Sequence, residues 1–133
     1  MEELELSLGM KSLMASTPMI DPVSSSGENI ADNGGLRASW FAYKKHVEDN
    51  DKKDFYLPGL QNYNQDQLFF ISFAKLWCMQ YTPFALQYSV TNDRHPPGHF
   101  RVLGALQNSK EFSEAFRCPV GSPLNPERKC LLW

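Results

Sequence analysis

Residues 68–81 constrain the fold of this chain more than any other segment. Large apolar side chains occupy nearly the whole circumference of a helix built from them: Phe69, Phe70, Phe73, Leu76 and Trp77. Such a helix is stable in water only when neighbouring elements cover it on every side. It is too short to cross a bilayer, and Pro83 stops it soon after Tyr81. The sequence therefore predicts a central core helix, preceded by a capping box of Asn64 and Gln67.

A second helix is predicted for residues 28–47, because apolar side chains recur there at three- and four-residue steps: Leu36, Trp40, Tyr43 and Val47. Ile30 and Phe41 fall on the opposite side, so this helix is expected to be buried between two neighbours. Gly34 and Gly35 lie inside it, at an expected cost of roughly 1 kcal/mol each relative to alanine. Glycines at such positions indicate close packing.

Short elements separated by prolines follow the core helix. A short helix is predicted for residues 84–90. Residues 93–101 are predicted to form a turn, because Pro96 and Pro97 forbid a regular helix there and Gly98 tolerates a positive φ angle.

The last part of the chain has a similar pattern. A helix is expected to resume through Leu106, and Asn108 with Glu111 repeats the N-cap pattern for a short helix that ends near Phe116. Residues 119–133 are punctuated by proline and are predicted to form an extended tail over the surface.

Length and composition limit the organisation of the chain. At 133 residues and 42% hydrophobic content, it is long enough for one domain and too short for two with good cores. We expect residues 27–133 to form that domain, in a mainly α fold, and residues 1–26 to form a weakly ordered leader. The net charge of −2 gives no broad cationic surface, so nucleic acid is not an expected partner. Neither a transmembrane helix nor a secretory signal is expected in this chain.

Cys78, Cys118 and Cys130 are widely spaced and odd in number, unlike a metal-binding pair or a self-contained disulfide framework. At least one of them therefore lacks a disulfide partner within the chain. On spacing alone, three reduced cysteines in a cytosolic protein are an open alternative.

Two carboxylates, Glu28 and Asp32, are four residues apart and share one face of the helix predicted for residues 28–47. That face borders the apolar stripe, where two like charges are costly unless a cation joins them. A metal ion is one such cation. The alternative is a solvated first turn, where carboxylates interact favourably with the helix dipole. Taken alone, His95 is typical of a surface turn and Arg101 of a solvated cation.

Residues 27–36, with the sequence GENIADNGGL, resemble the zinc-ligand segment of the neprilysin and endothelin-converting-enzyme family. The resemblance continues in register through residues 67–78, 95–101, 106–116 and 130–133. It covers essentially everything after Gly27, whereas residues 1–26 resemble nothing in that family. What it implies is the C-terminal helical subregion of a thermolysin-like zinc peptidase catalytic domain.

The resemblance also implies a role for each of four residues. Glu28 corresponds to the third protein ligand of the catalytic zinc, and Asp32 to the carboxylate that orients a zinc-bound histidine. His95 corresponds to the donor that hydrogen-bonds the oxyanion of the tetrahedral intermediate. Arg101 corresponds to the residue that grips a carbonyl group of the bound peptide.

The sequence departs from the family pattern at the metal site. A zinc peptidase of this class needs two histidines and a general-base glutamate from an H-E-x-x-H motif. The chain contains only His46, His95 and His99, and none of them is followed by glutamate. We therefore expect the C-terminal catalytic segment of a zinc metalloendopeptidase, inactive alone. The alternative is a non-catalytic fragment that binds peptides, acts as a decoy or has no independent function.

Partners and location follow from the same resemblance. The expected partners are oligopeptide substrates, cleaved on the amino side of hydrophobic residues, and the missing upstream half of the peptidase. Cys78, Cys118 and Cys130 correspond to family positions that form disulfides with cysteines in that upstream half. The implied location is extracellular or on a plasma-membrane ectodomain.

Overall fold

The computed structural model describes residues 24–50 and 56–131. Over these residues the fold is mainly α, as predicted, and the only β-type pairing is an isolated bridge between Ser122 and Asn125. The helices are α1 (Ser26–Asp49), α2 (Gln65–Leu76), α3 (Pro83–Asn92), α4 (Gly98–Asn108) and α5 (Lys110–Ala115). None of these helices is long and apolar enough to cross a membrane. The predicted leader falls outside the described residues as far as residue 23.

Aromatic side chains form the centre of the core. Phe70 of α2 is 1% exposed and lies between α1 and α5. Its ring stacks on Trp40 at a centroid distance of 5.0 Å and meets Phe112 edge-on at 5.5 Å. Leu36, Ala105 and Leu106 complete the buried cluster. The central position predicted for the helix of residues 68–81 is therefore confirmed through Phe70.

Helix α2 begins as predicted and ends earlier than predicted. The Asn64 side chain accepts a hydrogen bond from the Gln67 backbone N–H at 2.9 Å, and the Gln67 side chain accepts one from the Asn64 N–H at 3.0 Å. The helix stops at Leu76, whose side chain is 77% exposed, instead of reaching Tyr81. The Trp77 N–H bonds the Ala74 carbonyl in a tighter last turn, so the apolar pattern overestimated the length.

Helix α1 confirms the helix predicted for residues 28–47, but only one of its faces is buried. Leu36 and Trp40 lie in the core, whereas Ile30 and Phe41 are 41% and 53% exposed. The expected burial on two sides is therefore wrong for the described residues. Close packing at Gly35 is also wrong, because a Cβ added there would meet nothing within 4 Å.

The last helices differ from the prediction at their starts. Helix α4 begins at Gly98, so Arg101 is helical and the turn is confined to the residues before it. Gly98 has no positive φ angle. The cap of α5 is Ser109, whose side chain accepts from the Phe112 N–H at 3.0 Å. Asn108, the predicted cap, is the last residue of α4 and donates to Asn33 of α1 at 3.0 Å.

After α5 the chain forms turns that lie against the helices. The Gly121 N–H donates to the Asn125 carbonyl at 2.8 Å, and Gly121 has a φ angle of +87°, which favours glycine. Lys129 then donates to the Gln107 carbonyl of α4 at 2.7 Å. The tail is thereby attached to α4 up to the end of the described residues.

Candidate active site

The first turns of α1 and the start of α4 bring together the four residues that the sequence singled out. Glu28 and Asp32 lie one helical turn apart on α1, on the side that faces α4. His95 precedes α4 and Arg101 lies in its first turns. We call Glu28, Asp32, His95 and Arg101 the charged cluster.

The Arg101 guanidinium joins the two carboxylates of the charged cluster. Its Nε and Nη2 atoms each donate to one oxygen of Asp32 at 2.6 Å, and Nη2 also donates to Glu28 at 3.1 Å. Asp32 and Arg101 are well buried, with side chains 10% and 11% exposed. The hydrogen bonds that Arg101 donates to Asp32 raise the pKa of Arg101 above its usual value, although burial opposes that shift. Asp32 retains lone pairs for a further donor, since each carboxylate oxygen accepts more than one hydrogen bond.

His95 lies between two carboxylates. Its Nδ1 atom is 2.8 Å from Asp93, and its Nε2 atom is 3.4 Å from Glu28. Both contacts are attractive when both ring nitrogens carry a proton. Hydrogen bonds from the His95 backbone and side chain lower the pKa of Asp93 below its usual value. The ring remains half exposed, so a ligand in solvent can reach it.

Two neighbours of the charged cluster were not identified as site residues from the sequence. Asp93 orients His95 by accepting from both its backbone and its ring, an Asx-type pattern that an Asp two residues before a turn residue often indicates. Trp77 was assigned to the core, but its ring lies 4.0 Å beneath the Arg101 guanidinium carbon. No local sequence signal relates Trp77 to Arg101, because they belong to different elements.

The described residues do not form a complete metal site. No three His, Cys, Asp or Glu side chains of the described ranges are arranged to hold a metal ion. A zinc site of the expected type needs two histidines besides a carboxylate, and the charged cluster offers one histidine that already contacts carboxylates on both sides. Glu28 is therefore a single candidate ligand.

The three cysteines are free thiols in this structure. Cys78 and Cys130 are exposed, and Cys118 is partly buried against the aromatic core. The disulfides implied by the resemblance stay a prediction.

Comparison with known proteins identifies the family. The sequence model of peptidase family M13 matches residues 12–132. The match therefore begins within residues 1–26, which were predicted to be a leader outside the resemblance. Neprilysin from Oryctolagus cuniculus is 47% identical over 86% of this chain, and endothelin-converting enzyme 1 from Rattus norvegicus is 51% identical over 80%.

The same comparisons show how much of each relative is covered. The chain spans 15% of that neprilysin and 14% of that endothelin-converting enzyme. A solved structure, the Haemonchus galactose containing glycoprotein complex, superposes with a TM-score of 0.79 at 35% identity. The match covers 83% of this chain and 19% of the other. The chain is a member of peptidase family M13.

Proposed function

We propose that this chain supplies the C-terminal part of the active site of a zinc metalloendopeptidase. The observation that carries the proposal is the charged cluster, in which carboxylates from α1 meet a histidine and an arginine from the start of α4. Such a group holds one candidate metal ligand beside two hydrogen-bond donors that suit a peptide carbonyl. Family membership supports the peptidase chemistry.

The proposed site is completed by groups that this sequence does not contain. Two histidine ligands and a general-base glutamate come from another segment of polypeptide, because H-E-x-x-H is absent from the 133 residues. Glu28 and those histidines would hold the zinc, which would supply the Lewis acid that polarises the peptide carbonyl. On this proposal the 133-residue chain alone has no peptidase activity.

Each residue of the charged cluster has a distinct proposed role. Asp32, held by Arg101, presents its remaining lone pairs to a ligating histidine. His95, held by Asp93, donates to the oxyanion that forms when the peptide carbonyl is attacked. Arg101 hydrogen-bonds a carbonyl of the substrate, since the two N–H groups of Nη1 have no acceptor among the described residues.

The substrate class and the location are part of the proposal. We propose oligopeptides cleaved on the amino side of hydrophobic residues, and an extracellular or ectodomain site of action, from the resemblance to neprilysin-type enzymes. In an oxidising location Cys78, Cys118 and Cys130 would pair with cysteines of the completing segment.

A chimaera tests the function directly. Residues 27–133 replace the matched segment of Oryctolagus cuniculus neprilysin, and cleavage of a quenched fluorescent peptide is measured with and without a chelator. We expect chelator-sensitive cleavage, and loss of both zinc and cleavage in the Glu28→Gln chimaera. Glu114→Gln is the matched control, because Glu114 is exposed on α5 and its ion pair among the described residues is with Lys110. A Glu28→Gln chimaera that keeps its zinc would refute the ligand assignment.

A second readout of the same chimaera tests the donors. His95→Ala is expected to keep zinc and to slow turnover by about 10² to 10³-fold, the usual effect of removing an oxyanion donor. Loss of zinc in this variant would contradict the role proposed for His95.

A further inference from the structure

The Arg101 side chain is held from two directions. One edge of its guanidinium is engaged by Asp32 and Glu28, as described above. Its guanidinium carbon lies over the Trp77 ring, 4.0 Å from the ring centroid. A cation at that distance above an indole is attracted by the negative face of the ring, most strongly when both groups are desolvated. Arg101 is 11% exposed, so the cation itself is largely desolvated.

The chain allows this stacking through a close approach of two elements. Gly98 begins α4 directly against the end of α2, and a Cβ added to Gly98 would lie 2.8 Å from the Trp77 carbonyl oxygen. Backbone atoms cannot yield as a flexible side chain can, so any larger residue would separate α4 from Trp77. Pro96 and Pro97, which lead into the helix, are buried at the same junction.

The indole N–H of Trp77 makes no hydrogen bond among the described residues. Its Nε1 atom is buried. A buried N–H without a partner carries a penalty that phenylalanine would avoid at the same position. The indole therefore contributes here through the face that Arg101 covers.

We propose that Trp77 is a positioning residue for Arg101, with Gly98 as the residue that permits the contact. Trp77 fixes the plane of the guanidinium so that the free Nη1 edge points away from Asp32 and toward a bound peptide. The proposal rests on the proposed peptidase function only for the identity of that ligand. The stacking and its effect on Arg101 are properties of the chain itself.

Nuclear magnetic resonance of the full 133-residue chain tests the proposal without any cleavage assay. In the unaltered chain we expect a slowly exchanging Arg101 Nε–H and upfield-shifted Arg101 side-chain protons above the indole. Trp77→Leu should abolish the upfield shift and accelerate exchange of the Nε–H about tenfold, as expected for loss of a desolvated cation–π contact. Trp77→Phe should retain a protected Nε–H, because the aromatic face remains.

Two further variants separate positioning from general destabilisation. Gly98→Ala keeps the indole and should still weaken the upfield shift, because α4 must move away from the Trp77 carbonyl. Phe100→Leu is the control. Phe100 neighbours Arg101 in sequence, and its ring packs edge-on against His99. If Trp77→Leu and Gly98→Ala both leave the Arg101 signals unchanged, Trp77 does not position Arg101.

The outcome is independent of the test of the peptidase function. In the chimaera, Trp77→Leu should raise KM more than it lowers kcat if Arg101 binds a substrate carbonyl. An inactive chimaera together with released Arg101 signals would refute the peptidase function and retain the stacking role. An active chimaera with unchanged Arg101 signals would refute the positioning role alone.

Discussion

Helices α2 and α3 are both rich in apolar residues, yet only α2 contributes a buried side chain to the core. Phe70 of α2 lies at the centre of an aromatic cluster that involves α1 and α5. No residue of α3 is buried, and Phe84 and Tyr88 are 79% and 60% exposed. Exposed apolar residues in such a number are uncommon on the surface of a protein that acts alone. This is the packing expected if a separate segment completes the peptidase.

The largest expected difference between the two helices concerns their phenylalanines. Phe70→Ala should lower the free energy of unfolding by about 3 to 5 kcal/mol, because it leaves a cavity between packed rings. Phe84→Ala should change it by less than about 0.5 kcal/mol, as for an exposed position. Chemical denaturation followed by circular dichroism measures both. Equal losses in the two variants would show that α3 is packed in solution.

The next difference compares a buried carboxylate, Asp32 of α1, with an exposed one, Asp93, which follows α3. Asp32→Asn should cost about 3 kcal/mol, because it leaves the buried Arg101 without its main charged partner. Asp93→Asn, at the exposed end of α3, should lower the free energy of unfolding by far less than Asp32→Asn does. The same denaturation experiment compares them. If Asp32→Asn leaves the free energy of unfolding unchanged, Glu28 alone is sufficient to balance the buried charge of Arg101.

Helix caps give a smaller contrast. Ser109→Ala should cost about 1 kcal/mol of global stability, because the Phe112 N–H loses its acceptor next to the core. Thr82→Ala removes the equivalent bond to Ala85 but should only increase fraying of α3, since that helix does not support the core. Amide hydrogen exchange distinguishes local from global opening. A global effect of Thr82→Ala would contradict the separation of α3 from the core.

The smallest expected effect is a pH dependence at the end of α3. The Asp93 carboxylate titrates below its usual pKa of 3.8, because it accepts hydrogen bonds from His95. Its stabilising contribution is therefore present above the usual Asp range and is lost as the pH falls through the lowered pKa. Carbon-detected magnetic resonance of the Asp93 side chain should show the lowered pKa. His95→Ala should raise that pKa only part of the way to 3.8, because the backbone N–H of residue 95 still donates to Asp93.

Much of the helical architecture could be predicted because its determinants are local. The capping box of Asn64 and Gln67 and the periodic stripe with Leu36 and Trp40 depend on residues three or four positions apart. The end of α2 could not be predicted in the same way. Gly98 of α4 lies against Trp77, the residue that follows the helix, and periodicity along one segment does not report a contact with another element.

The charged cluster shows the same division. The shared face of Glu28 and Asp32 follows from their helical spacing, and the resemblance singled out His95 and Arg101. The pairing of Arg101 with Asp32, and its stacking on Trp77, require the relative position of α1, α2 and α4. From the sequence, the two carboxylates had a metal ion or the helix dipole as possible partners, and Arg101 taken alone was expected to be solvated.

We propose that this chain carries one part of a zinc peptidase site and that another segment of polypeptide supplies the rest. The most direct test of this proposal is the zinc content of the purified 133-residue chain after dialysis against trace metal, measured beside cleavage of a quenched fluorescent peptide. We predict no stoichiometric zinc and no cleavage from this chain alone. Stoichiometric zinc with chelator-sensitive cleavage would contradict the account, because other residues of the chain would then complete the site.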